Sequence, residues 1–172
     1  MPKPFEELGA KGAGAVRAVT GAVRGLHGVF NTLARQHAEV SVLLERARTA
    51  VDEEKRVALW KKIRTELLSH ERGELAVVYP ALAANGRLQG IVDEHQQQAE
   101  ELESAIAAID DSSLASDAFP SQIEALISLV KQHVDEEENH WFPEAAEVLS
   151  KGEVEELDQR YVAKREALIE QM

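Results

Sequence analysis

Two stretches of this 172-residue chain carry the same line of chemistry. "HERGELAVVYP" over residues 70–80 and "HVDEEENHWFP" over residues 133–143 each open on a histidine and place a glutamate four residues later. Each then closes on an aromatic residue and a proline at plus nine and plus ten. Helical residues four apart stand about 40° apart around the axis and roughly 6 Å along it. His70 with Glu74, and His133 with Glu137, therefore each offer an imidazole and a carboxylate to one side. Facing inward, such a pair is metal-ligand chemistry; facing water, it is an ordinary surface pair. One match carries little weight, but two, each followed by one of only five prolines, carry a good deal.

His37 and His95 extend the repeat. The segments they open, "HAEVSVLLERA" and "HQQQAEELESA", share a leucine at plus seven, a glutamate at plus eight and an alanine at plus ten. His95 follows His37 by 58 residues and His133 follows His70 by 63, as when a two-helix unit is written twice with a looser connection. A lone histidine on an apolar stripe is ordinarily a hydrogen-bonded core residue. Four of them converging with two carboxylates make a site. Ionised carboxylates inside a bundle cost on the order of several kcal/mol each unless neutralised, and no Lys or Arg shares their layer. A pair of divalent or trivalent cations supplies the missing charge. Imidazole and carboxylate together suit iron, manganese or zinc, and facing carboxylates can bridge two ions roughly 3.5–4 Å apart. A metal-free polar core is the competing reading.

The elements that must position these residues are helices. Val16, Val19, Val23, Leu26, Phe30, Leu33, His37, Val40 and Leu44 form one stripe over about 15–49, so the first helix is expected to run without a break from the N-terminal segment. A second helix starts near Asp52, carries Trp60, Ile63, Leu67, His70, Glu74 and Val77, and stops at Asn85 and Gly86. A third spans about 88–109 around His95, and a fourth about 121–150 around His133, closed by Gly152. Residues 151–172 add a short helix packed outside through Leu157, Tyr161 and Leu168. The expected fold is all-α: an antiparallel up-down-up-down four-helix bundle with an additional short C-terminal helix. The organisation is an N-terminal extension of helix one (1–24), the bundle (25–150) and the C-terminal helix (151–172).

Composition narrows the function. A formal charge of −12 excludes a phosphate-tracking surface, so no nucleic-acid partner is expected. With no cysteine, disulfides, thiolate ligands and cysteine nucleophiles are excluded. No apolar run approaches the roughly 18 to 20 residues of a membrane span, and the N-terminus lacks the apolar core of a signal peptide, so a cytoplasmic protein is expected.

The order His37, His70 to Glu74, His95, His133 to Glu137, with Tyr79-Pro80 and Phe142-Pro143 trailing, resembles the hemerythrin-like, or HHE cation-binding, family in its bacterial H-HxxxE-H-HxxxE form. The resemblance covers about residues 25–150. It implies a non-haem centre of two iron ions with an oxo or hydroxo bridge. Glu74 and Glu137 would be bridging carboxylates, with His37 and His70 mainly on one iron and His95 and His133 on the other. It departs from the oxygen carriers of the family, which have a second histidine where Ala99 stands and a bridging aspartate one residue further from its histidine than Glu137 is from His133. An extra open position on the His95 and His133 iron is therefore expected. The implied ligands are a diatomic gas or peroxide, with reaction (for instance peroxide decomposition), sensing, and metal binding or storage without turnover all open. His140, seven residues after His133, reads as a donor behind the ligands or a cavity lining ahead of an extra ligand. Its counterpart in the other half, Val77, is apolar. His27 reads as a surface or packing residue, and Asp135, Glu136 and Glu138 as the solvated face of the fourth helix.

Overall fold

The structure is a computed structural model that describes residues 25–172; the extension expected over 1–24 lies outside the described residues. Among those described there is helix and no strand. The elements are α1 (Gly28–Thr49), α2 (Glu53–Gly73), a π turn (Glu74–Val78) leading into α3 (Tyr79–Ala83), and α4 (Gln89–Asp110). They continue with α5 (Phe119–Glu136), a second π turn (Glu137–Trp141) leading into α6 (Phe142–Val148), and α7 (Lys151–Ile169).

Local chemistry sets the helix starts. Asp52 caps α2 by accepting from the Lys55 N–H at 2.9 Å, with Glu53 and Glu54 against the positive end of the helix dipole. Pro120 sits in the first turn of α5, where its missing N–H costs nothing. Ser150 and Glu153 form a reciprocal capping box that starts α7. Gly152 thus lies inside the first turn of α7 rather than closing the preceding helix.

The repeated proline explains the π turns. Pro80 and Pro143 have no N–H for the carbonyl four residues back, and their rings press on it. The chain answers by widening the turn before each proline: the Tyr79 N–H bonds to the Glu74 carbonyl and the Phe142 N–H to that of Glu137. One turn is thereby spread over an extra residue. Both wide turns begin at the glutamate of the repeated motif.

α1 packs against α2 and α5, α4 packs against α5, and α7 lies along α1, α2 and the first π turn. The apolar core falls into two clusters. One gathers Phe30, Leu33, Val78, Tyr79, Ile91, Trp141, Phe142 and Tyr161, the other Val40, Leu44, Ile63, Leu67, Leu102, Leu126 and Val130. On each long helix the repeated histidine lies between the two clusters, as His37 does between Leu33 and Val40. The polar site is therefore a layer sealed between two hydrophobic plugs.

Two expectations are corrected. The first helix does not continue unbroken from the N-terminal segment: Gly25 and Gly28 have φ of +82° and +51°, His27 between them is extended and exposed, and α1 begins at Gly28. Glycine at 28 also allows close approach, since a Cβ there would overlap the Val154 carbonyl of α7. The C-terminal helix is not short but 19 residues long; it packs through Leu157 and Tyr161 as expected, with Val154 also buried and Leu168 half-buried.

Candidate metal centre

The structure brings together all six residues that the motifs single out. His37 from α1, His70 from α2, His95 from α4 and His133 from α5 are buried, and Glu74 and Glu137, the first residues of the two π turns, are fully buried. The four imidazoles turn Nε2 to a common centre. His37 Nε2 lies 3.1 Å from both His70 Nε2 and Glu137 Oε2. Glu74 Oε2 lies 3.3 Å from His70 Nε2 and 3.4 Å from His95 Nε2. Glu137 reaches His95 at 3.6 Å with one oxygen and His133 at 3.5 Å with the other.

Two further carboxylates join them. Glu71, buried on α2, places Oε1 3.1 Å from His133 Nε2 and Oε2 3.7 Å from His95 Nε2. Its position beside His70 and three residues before Glu74 was the available sequence signal, because those three residues share one arc of the helix. Glu138 is also buried, not on the solvated face: its Oε1 accepts from His37 Nδ1–H at 2.9 Å. In a regular helix its 100° step from Glu137 would carry it outward, and the π turn reduces that step. The same widening turns His140 outward: it is exposed and outside the cluster, while Trp141 and Phe142 are buried in its place. Glu71 thus sets a carboxylate against both His95 and His133.

The outer ring nitrogens are held as well. His70 Nδ1–H donates to Gln36 Oε1 and His133 Nδ1–H to Gln98 Oε1, both at 2.9 Å. Tyr79 stacks on His95, ring centroids 3.5 Å apart, and donates its hydroxyl to Glu137 Oε1 at 2.5 Å. Holding the outer nitrogen leaves the Nε2 lone pair for the centre.

Without a cation this arrangement is electrostatically costly. Burial and the neighbouring Glu137 and Glu71 charges push the Glu74 carboxyl well above its usual range. Burial lowers His95 to about 4, whereas at His133 it is outweighed by the Glu71 and Glu137 charges, which raise that imidazole to about 9. Protons then occupy positions that cations would fill. Glu71 Oε2, Glu74 Oε1 and Glu137 Oε2 are buried and make no hydrogen bond. Two overlapping sets of donors lie within 4.8 Å of one another: His70, Glu74, His133 and Glu137, and Glu71, Glu74, His95 and His133. Donors around one ion at bonds of about 2.1 Å stand roughly 3 Å apart, close to the separations here. The residues present fit a metal.

Beside the cluster lies a cavity of about 10 Å³, room for about one water-sized molecule. His37, His70, Glu71 and His133 meet there an apolar wall that includes Val40, Leu67, Leu102, Val130 and Val134, with Gln36 and Glu66 also lining it.

Neither a comparison with curated proteins nor one with solved structures gives a match. A comparison with protein families matches residues 28–145 to the hemerythrin HHE cation-binding domain. That span holds every histidine and glutamate of the cluster, and this chain belongs to the hemerythrin HHE cation-binding domain family.

Proposed function

We propose that the chain is a non-haem di-iron protein of the cytoplasm that binds, senses or reacts with oxygen, peroxide or nitric oxide. The observation that carries this reading is the reach of two buried carboxylates. Glu74 touches His70 and His95, and Glu137 touches His37, His95 and His133. Carboxylates that span both halves are placed to be shared by two ions. His37 and His70 would hold one iron, His95, His133 and Glu71 the other, with Glu74 and Glu137 between. Bound iron would supply one-electron redox chemistry and coordination of a small ligand.

The chain's own residues do the rest. Gln36, Gln98 and Glu138 orient three imidazoles, and the Tyr79 hydroxyl holds one oxygen of Glu137. The apolar cavity suits a small uncharged ligand and leaves no room for an organic substrate. Among the described residues no helix is long and apolar enough to cross a membrane. The short connection between α1 and α2 suits the antiparallel up-down-up-down order, with 25–150 as the bundle and 151–172 as an added helix.

A second reading, metal binding without turnover, is favoured by Glu71, a further carboxylate against His95 and His133 that would leave the ion there fewer open positions. Anaerobic purification, an iron count and visible spectra after adding oxygen, peroxide or nitric oxide test both. About two irons per chain with a reversible spectral change support a binding or sensing protein, and rapid gas release from peroxide supports an enzyme. Iron that answers none of the three supports the second reading. Less than one transition metal per chain, unaffected by His70→Ala or His133→Ala, overturns the di-iron proposal.

A further inference from the structure

α7 lies beyond the residues matched to the family domain, yet it sends a side chain to the edge of the cluster. Tyr161 is fully buried, its ring edge-on to His70 with centroids 6.3 Å apart. Its hydroxyl donates to Gln36 Oε1 at 2.6 Å, the same oxygen that accepts from His70 Nδ1–H at 2.9 Å, and stands 3.3 Å from that nitrogen. We propose that Tyr161 is a positioning residue of the metal centre, acting through Gln36 to hold His70 in the tautomer and orientation that turn Nε2 to the metal. This rests on the metal-binding reading above.

The argument starts from the amide. A side-chain carbonyl oxygen has two lone pairs, and here both are used, one by the phenol and one by the imidazole. The phenol fixes the amide, and the amide keeps the proton on Nδ1, so the Nε2 lone pair remains free for the metal. Packing alone would be served by phenylalanine, and a buried hydroxyl is costly unless bonded. The chain also makes room for the ring: a Cβ at Gly73 would stand 2.8 Å from Tyr161 Cε2. The other half supplies an internal comparison. His133 Nδ1 is held by Gln98, while the second of the chain's two tyrosines, Tyr79, is engaged with Glu137 instead.

Tyr161→Phe in the full chain tests this, with cobalt(II) alone as the probe metal. Two signals are read: solvent exchange of the Nδ1–H protons of His70 and His133 by NMR, and the rate of cobalt loss to a chelator. The expected result is faster exchange at His70 with His133 unchanged, and about tenfold faster loss of cobalt. Gln36→Leu should reproduce both effects, and the double variant should add nothing. Unchanged exchange at His70, or equal change at both histidines, overturns the proposal, the latter by showing general loosening. If Tyr161→Phe loses helix content by circular dichroism, the Gln36→Leu comparison of the two histidines decides alone. If the unaltered chain takes up neither cobalt nor iron, the metal reading fails separately. The nitrogen shifts of the metal-free chain then still show whether Tyr161→Phe releases the Nδ1–H tautomer of His70.

Discussion

At the scale of single residues, the centre turns on how carboxylates set the protonation of imidazoles. Glu71 and His133 form the clearest pair, joined at 3.1 Å and both buried. Burial alone would lower His133, and the Glu71 and Glu137 charges overcome it to raise the group to about 9. Glu71→Gln keeps the shape and removes the charge, so the His133 pKa of the metal-free protein should fall, as an NMR titration would show. The same substitution removes a donor atom from the His95 and His133 half, and metal affinity should drop about tenfold or more, measured by chelator competition. A His133 titration still near 9, with unchanged affinity, would show that Glu71 is a bystander.

At the scale of elements, the two π turns matter most, because each starts on a glutamate of the cluster and is enforced by the proline six residues later. Pro143→Ala gives position 143 an N–H that can bond to the Asn139 carbonyl, and the turn can then tighten into regular helix. Helix propensity improves by about 3 kcal/mol on host–guest scales, so the metal-free protein should melt no lower than the parent in a thermal scan. Metal affinity should nevertheless fall about tenfold, since Glu137 and Glu138 rotate away from their imidazoles. Pro120→Ala, in the first turn of α5, should leave affinity unchanged and serves as the control. These turns also mark the limit of what was legible in the sequence. The stripe positions of His37, His70, His95 and His133, and the motif glutamates Glu74 and Glu137, obey the 3.6-residue period and could be read directly. Glu138 and His140 could not, because both follow the point where the period changes, and each falls on the opposite side from its α-helical phase. Tyr161 was legible as a packing residue, but its hydroxyl contact with Gln36 depends on tertiary docking 125 residues away in sequence. The break at Gly25 and Gly28 was hidden because the apolar stripe continues across it in phase.

At the scale of the whole molecule, a charged layer is sealed between two apolar clusters, so metal occupancy and folding are the same problem. A ligand that binds only the folded chain, present at about a thousand times its dissociation constant, adds about 4 kcal/mol, worth roughly 10 °C in melting temperature for a protein of this size. The gain should depend on pH with a definite sign. His133 titrates near 6.5 when unfolded and near 9 in the metal-free fold, so its stabilising contribution is complete below about 6.5 and is lost as pH rises through 9. Glu74 acts in the same direction: burial and the Glu137 and Glu71 charges raise its carboxyl well above the usual range in the fold, so rising pH between its unfolded and folded values favours the unfolded chain. The metal-free protein should therefore melt at lower temperature at pH 9 than at pH 7. The loaded protein has given up those protons to the metal, and its melting temperature should change less. Calorimetric scans of chelator-treated and metal-loaded protein at the two pH values measure the difference directly. A gap between the two forms that widens from pH 7 to pH 9 is the expected result. A gap that narrows would mean that the cluster holds its charges by some means other than the protons assigned to His133 and Glu74.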